Sequence, residues 1–410
     1  MAVDDLHLTV IGIGADGWAG LSETSRATIH AAEVVLGAPR HLDLLPAIDG
    51  QRRAPWPSPL RAALLAFVES HGAARMVALA SGDPMVSGVG TTLVTMLGAD
   101  RVTVLPHVSS VALARARLGW SAEQTAVVSV VGRDPHAVLR ELAPGRRVLV
   151  LSSDENTPAQ LAGLLVARGY GSSRLVVLGD LGGSAETVRA TTAAELDGPA
   201  PRLNIVAVEL AGPVETGWAP GLPDEMFEHD GQLTKRDLRA AALARLLPIP
   251  GQLLWDVGAG AGSVGIEWMR AHPSCRTVAV EADATRAERI GRNARALGVP
   301  ALQVLHGRAP EALTELPTPD AVFVGGGATR DGVLQACLDA LAPAGRLVVH
   351  GVTVETEALL GRCYAEHGGE LTRIHVERAA AVGSFTGWTP ARAVTQWAYT
   401  KPSCVKPAAP

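Results

Sequence analysis

The sequence predicts an α/β protein in two parts, and three observations carry that expectation. Its 410 residues exceed what one hydrophobic core usually organises. Short β-rich runs alternate with Ala-rich helical patterns, the mark of α/β sheets with parallel content. The alternation breaks at "AGPVETGWAPGLPDE", residues 211–225, where three prolines and three glycines stand without an apolar period.

Before the break, the runs "LTVIGIG", "AEVVLG", "RMVALASG", "RVTVLP", "RRVLVLSS", "RLVVLGDL" and "LNIVAVEL" alternate with segments such as "LSETSRATIHAA" and "TPAQLAGLLVARG". This predicts a first domain over residues 1–212 with a largely parallel sheet, then a linker over 213–225. After it, "LLWDVG", "TVAVEA", "LQVLHG", "AVFVGG" and "RLVVHGV" alternate with helical patterns, and two adjacent strands close the series, "ELTRIHVERA" and "AVTQWAYT". Five alternating units plus two strands predict a doubly wound, seven-stranded sheet over 226–402 with an antiparallel hairpin at one edge. The halves are not repeats, because their glycine loops and strand spacings differ.

Bulk chemistry narrows the function. An apolar content of 47% with 19% charged residues is globular, and a net charge of −5 argues against a general nucleic-acid binder. Cys275, Cys337, Cys363 and Cys404 are far apart, with no Cys-x-x-Cys and no regular Cys/His spacing, so neither a metal site nor a disulfide framework is expected. The opening "MAVDDLHLTV" has acidic residues where a signal peptide needs basic ones, and no apolar run is long enough to span a membrane. A cytoplasmic protein is expected.

In "LLWDVGAGAGSVGIEW" a strand ending at Asp256 enters a loop with Gly258, Gly260 and Gly262, then a helix. Glycines let the backbone approach a ligand, and the helix start offers free N–H donors. A dinucleotide fingerprint needs a last glycine where Ser263 stands. The Asp-x-Gly-x-Gly-x-Gly form resembles the first motif of class I S-adenosylmethionine methyltransferases. That resemblance implies that Asp256 answers the cofactor's ammonium, Glu281 takes two ribose hydroxyls, and the backbone of Arg308 and Ala309 borders the adenine. Arg308 stands where many members of that group have an acid. Gly325, Gly326 and Gly327 replace the Asn/Asp-Pro-Pro-aromatic stretch of amine-methylating enzymes and leave room for a broad substrate, or make a flexible turn. Upstream, Thr234 and Asp237 have capping-box-like spacing; helix initiation and a ligand-facing role for Thr234 and Lys235 both stay open. His229, Asp230 and Lys235 are the acid–base candidates.

The first loop, "GIGADG", matches Gly-x-Gly-x-x-Gly through Gly12, Gly14 and Gly17, yet no acid follows the second strand, as a nicotinamide site requires. With "LASGDPMVSGVG" (Gly82, Asp83, Pro84, Ser87, Gly88) and "PHVSSVALARARLGW" (Ser109, Ser110) it resembles the tetrapyrrole methylases. Their fold of two α/β subdomains holds S-adenosylmethionine in a cleft between them. The usual Gly-x-Gly-Pro-Gly start has Ala15 and Asp16 here, as in the branch acting late in corrin-ring assembly.

Joined in one chain, these two halves resemble the bifunctional methyltransferases of cobalamin (vitamin B12) biosynthesis. The resemblance covers residues 6–400 and implies methylation of a reduced corrinoid at C5 by the first domain. It also implies methylation at C15 and loss of carbon dioxide from the ring-C (C12) acetate by the second. It implies two S-adenosylmethionine sites per chain, no metal, a homo-oligomer, and arginines for the substrate's carboxylates; Arg40, Arg133, Arg236 and Arg330, with Lys235, lie beside the loops named. The rivals are a nicotinamide-dependent oxidoreductase, a methyltransferase with one active domain acting on another tetrapyrrole, on RNA or on protein, and a module that only binds.

Overall fold

The computed structural model describes residues 7–71, 75–214 and 216–403. The opening six residues and Cys404 lie outside them. By their contacts the residues form two compact units that divide at Pro213/Val214, with His136–Ala143 belonging to the second.

The first unit holds two five-stranded sheets. One contains β1 (Leu8–Ile13), β2 (Val34–Gly37), β3 (Arg52–Pro55), β4 (Met76–Ser81) and β5 (Val102–Leu105), in the order β3-β2-β4-β1-β5. Every pairing in it is parallel. Leu8 and Val10 join one apolar cluster while Ile11 and Ile13 join another, so both faces of β1 are covered. That is why the run reads as almost unbroken apolar sequence.

The other sheet contains β6 (Thr125–Ser129), β7 (Arg147–Leu151), β8 (Arg174–Gly179), β9 (Thr187–Thr192) and β10 (Asn204–Glu209). Only β6–β7 is parallel; β10 runs antiparallel between β7 and β8, and β9 pairs antiparallel with β8. The expectation of a largely parallel sheet fails here. Residues 180–186 are too few for the crossover that parallel neighbours need, so β8 and β9 form a hairpin.

The second unit is a seven-stranded sheet of β11 (Leu253–Val257), β12 (Arg276–Glu281), β13 (Gln303–His306), β14 (Ala321–Val324), β15 (Arg346–Gly351), β16 (Glu370–Ile374) and β19 (Val394–Thr400). The order is β13-β12-β11-β14-β15-β19-β16, with the first five strands parallel and β19 antiparallel to both its neighbours. The closing pair is thus not a simple edge hairpin. "ELTRIHVERA" splits between β16 and β17 (Glu377–Val382), and β17 pairs with β18 (Phe385–Pro390) in a separate, largely exposed ribbon. Ala379–Ala381 offer little apolar area to bury against the main sheet.

One buried ion pair fastens the segment ahead of the glycine loop. Glu267, on helix Ser263–Ala271, accepts from the N–H groups of Gly221 (2.6 Å) and Leu222 (2.9 Å) and from Arg239 Nε (2.5 Å). Arg239, on helix Arg236–Leu246, donates further to the carbonyls of Thr234 (2.5 Å) and Leu222, reaches Asp224 at 3.3 Å, and lies 4.7 Å over the Phe227 ring. Arg239 is 0% and Glu267 5% exposed. The capping box does not form. Lys235 is the N-cap residue and makes no side-chain cap, because an ammonium group has no lone pair to accept with; Thr234 lies one position too early, and Asp237 pairs with Arg378 at 3.0 Å.

Glu267→Ala strands a buried guanidinium and two backbone donors, so it should cost about 3–5 kcal/mol in the unfolding transition of the second unit. Urea titration of the whole chain checks this; a loss near zero would show that the pair is not structural.

Candidate functional site

The second unit carries a cavity of about 650 Å³ beyond the carboxyl ends of its parallel strands. Each βα loop contributes: Gly258 and Gly260 after β11, Glu281 at the end of β12, Gly307, Arg308 and Ala309 after β13, Gly325–Gly327 after β14, and His350 and Val352 around the end of β15. Thr234 and Lys235 close it from the segment that Arg239 fastens, and Val376, Arg378 and Arg392 from the β16–β19 region.

Gly258 and Gly260 have φ of +66° and +60°, the left-handed region that favours glycine. A Cβ on Gly258 would meet the Gly326 carbonyl at 2.6 Å, and one on Gly260 the Gln232 carbonyl at 2.9 Å. The loop is therefore threaded between two others, and only glycine fits at both positions; its own N–H groups are taken within the fold, Gly258 donating to the Val280 carbonyl (2.9 Å). Glu281 accepts from Gly260 N–H (2.8 Å) and Asp283 N–H (3.0 Å), which aims its carboxylate along the cavity wall. Two carboxylate oxygens so held still have lone pairs for a diol.

Several candidates lie elsewhere. Asp256 is 1% exposed and does not line the cavity; its Oδ2 accepts from Gly265 N–H (2.9 Å) at the start of the following helix, and Oδ1 is buried without a partner. It faces the loop's own backbone, where it shapes the turn. Gly262, φ +74°, packs against Ile290, and a Cβ there would meet Ile290 Cγ2 at 2.7 Å. His229 accepts from Gly231 N–H, Asp230 is committed to Arg286 (2.8 Å), and neither reaches the cavity. The Arg286 guanidinium holds the Asp230 carboxyl well below the usual carboxylate range, so it is a poor base. Arg236 is exposed beside Gly221 and outside the cavity.

The cations around the cavity are of two kinds. Arg330 pairs with Glu311 (2.9 Å), Arg378 with Asp237 (3.0 Å), and Lys235 lies 3.7 Å from Asp224. Arg308 and Arg392 have no carboxylate partner among the described residues, which leaves them for anionic groups of a ligand. Arg392 carries no motif and escaped sequence reasoning. So did His350, 8% exposed at the end of an apolar run.

In the first unit the three predicted loops converge. Gly82 donates to the Ile13 carbonyl (2.9 Å) and accepts from His107 N–H (3.2 Å), and a Cβ on Gly12 would collide with the Gly82 carbonyl at 1.9 Å. Asp83 accepts from Met85 N–H (2.8 Å), turning the chain after Pro84; Ser87 (φ 53°) and Gly88 then start the next helix. Ser109 caps the helix that opens with Ser110 by accepting from Ala112 N–H (3.1 Å). Gly14 lies beside Asp16, whose carboxylate is 3.2 Å from His107 Nε2. Arg40 donates to Ser81 Oγ (2.6 Å) within electrostatic reach of Asp180 and Arg202, on loops of the mixed sheet. Arg133 is exposed after β6.

Two family models match. One described as Tetrapyrrole (Corrin/Porphyrin) Methylases covers residues 7–197, and one described as Precorrin methyltransferase domain covers 225–401. The chain is 47% identical, over 96% of both sequences, to a Sinorhizobium protein named precorrin-6Y C(5,15)-methyltransferase (decarboxylating). It is 37% identical to a Pyrobaculum calidifontis protein named "Probable cobalt-precorrin-6B C(15)-methyltransferase (decarboxylating)", over 42% of this chain and 90% of that one. It is 34% identical to a Salmonella typhimurium cobalt-precorrin-7 C(5)-methyltransferase, over 42% of this chain and 84% of that one. The last two names divide the positions that the first combines, and decarboxylation goes with C15.

Burial, aided by the charge of Glu281 and opposed by the Gly265 N–H, raises the Asp256 carboxyl from 3.8 to about 7. The folded chain then binds more protons than the unfolded one between those values, so Asp256 costs stability progressively as pH rises through that window. Asp256→Asn removes the cost. Its stability relative to wild type, in the ligand-free protein, should improve by on the order of 1–3 kcal/mol between about pH 4 and pH 8. A difference independent of pH in thermal melts would contradict this environment for Asp256.

Proposed function

The chain belongs to the family of precorrin-6Y C(5,15)-methyltransferases (decarboxylating), and from that membership we propose how its two domains divide the work. It is an S-adenosylmethionine-dependent C-methyltransferase of cobalamin biosynthesis acting on a tetrapyrrole. The first domain methylates C5; the second methylates C15 and removes the ring-C (C12) acetate carboxylate, and the product is precorrin-8. Each domain holds its own S-adenosylmethionine, two per chain, and the chemistry calls on no metal. In this reading the chain works in the cytoplasm as a homo-oligomer and does not bind nucleic acid. Among the described residues no helix is long and apolar enough to cross a membrane.

The observation that carries the reading is the cavity of the second unit. Its glycine loop is accessible at Gly258 and Gly260, and Glu281 is aimed along the wall beside it. Bound S-adenosylmethionine supplies an electrophilic methyl group on a sulfonium. The chain's own residues then have three tasks. Glu281 receives the ribose hydroxyls, and the backbone of Arg308 and Ala309 borders the adenine. Gly325–Gly327 admit the edge of a flat macrocycle, while Arg308 and Arg392 anchor carboxylates at its rim. Holding the ring carbon in line with the methyl group accounts for most of the acceleration, so few dedicated catalytic side chains are needed. In the first domain the meeting of Gly12, Gly82 and His107 forms the corresponding floor, with Arg40 at its edge.

Mass spectrometry of products from precorrin-6Y and S-adenosylmethionine tests the division. Glu281→Ala should lower C15 methylation and carbon dioxide release by about 10²-fold while C5 methylation continues. Equal loss of all three steps in a folded variant would overturn the division between domains.

A further inference from the structure

The cavity of the second unit contains one histidine among its lining residues, and its surroundings settle its protonation. His350 stands one residue before the end of β15, with its ring edge-on against Phe323, centroids 5.1 Å apart. Phe323 in turn would touch a Cβ on Gly325 at 3.0 Å, so His350 lies next to the glycine loop that admits the substrate. Behind it stands Gln396 of β19, 0% exposed. In the orientation that pairs both ends of the Gln396 amide, its oxygen accepts from Arg245 Nε (2.9 Å) and Nη1 (3.3 Å), and its nitrogen donates to His350 Nε2 (2.9 Å). Arg245 is fixed from its far side by Glu370. A ring nitrogen that accepts carries no proton. His350 is therefore uncharged, with its proton on Nδ1, which has no protein partner among the described residues and is not sealed from the cavity. Burial and the Arg245 charge act the same way, holding the imidazole down to about 4.

We propose that His350 is the uncharged hydrogen-bond donor that seats the carboxylate lost as carbon dioxide, with Gln396 and Arg245 as positioning residues that fix its tautomer. The proposal rests on the decarboxylation assigned to this domain above. In that step the bond between the carboxylate carbon and its methylene carbon breaks. The electron pair passes into the conjugated macrocycle, neutral carbon dioxide departs, and a proton from water completes the methyl group. The carboxylate loses its charge on the way, so a cation bound to it would stabilise the starting state more than the transition state and slow the step. A neutral donor orients the group without that penalty. The cations Arg308 and Arg392 remain for carboxylates that are kept.

The test compares carbon dioxide lost with methyl groups added per product, by mass spectrometry, for His350→Asn, His350→Gln, His350→Leu and Gln396→Glu in the full chain. S-adenosylhomocysteine binding and thermal melts serve as controls. An asparagine amide nitrogen falls where Nδ1 was and a glutamine nitrogen where Nε2 was. His350→Asn should keep most of the wild-type ratio, whereas His350→Gln and His350→Leu should lower it by about tenfold or more. Gln396→Glu draws the proton to Nε2, leaving either an acceptor or a cation facing the carboxylate, and should lower the ratio too. Equal ratios in all four variants, or His350→Asn as poor as His350→Leu, would overturn the role. A wild-type chain that releases no carbon dioxide would instead remove the decarboxylation assigned to this domain.

Discussion

The buried pair of Arg239 and Glu267 is the constraint on which the second domain's site depends. Glu267 sits in the helix that starts at the glycine loop, and Arg239 in the helix that precedes the sheet. Between them they hold the backbone at Gly221, Leu222 and Thr234. Residues 231–235 are thereby laid over the cavity mouth, and the Gln232 carbonyl comes to lie where any side chain on Gly260 would go. Two charges taken out of water stabilise little by themselves. Their contribution is to give an otherwise irregular segment one position, and so to define one wall of the cavity.

Charge is distributed around that cavity with a consistent logic. Most of its cations are neutralised by neighbours on the same surface, through Glu311, Asp237 and Asp224. Arg308 and Arg392 have no carboxylate partner among the described residues, which suits a substrate whose many carboxylates must be oriented without being gripped everywhere. The carboxylate Asp256 is directed inward against a helix start, and the histidine is kept uncharged from behind. Under the proposed function, the reacting groups of cofactor and substrate meet mostly backbone, glycine and neutral donors. That suits a transfer whose driving force lies in the sulfonium and whose electron sink lies in the macrocycle.

Much of this was legible in the sequence where a short stretch carries its own physical reason. The runs of β1 and β11 announce strands buried on both faces, and Gly258, Gly260 and Glu281 follow from the spacing of strand, loop and next strand. What the sequence hid depends on partners distant along the chain. Gln396 meets His350 only because β19 inserts beside β15 in antiparallel register, so "RLVVHG" alone looks like a core strand with an incidental histidine. Thr234 has the residue type of a cap, but the helix starts one residue later, with Lys235 at the N-cap position. Asp256 stands one residue before the end of β11, where a ligand-facing acid is expected, yet the Gly265 N–H draws it inward. The β8–β9 hairpin was missed because β9 is half-exposed and rich in threonine, without the apolar run that marked the others.

On the proposed reading the two glycine-loop regions serve one cofactor twice. Calorimetric titration of the intact chain with S-adenosylhomocysteine, with NADH as control, tests it directly. Two sites per chain are expected for S-adenosylhomocysteine, and no heat with NADH. A single site, or heat with NADH alone, would contradict it.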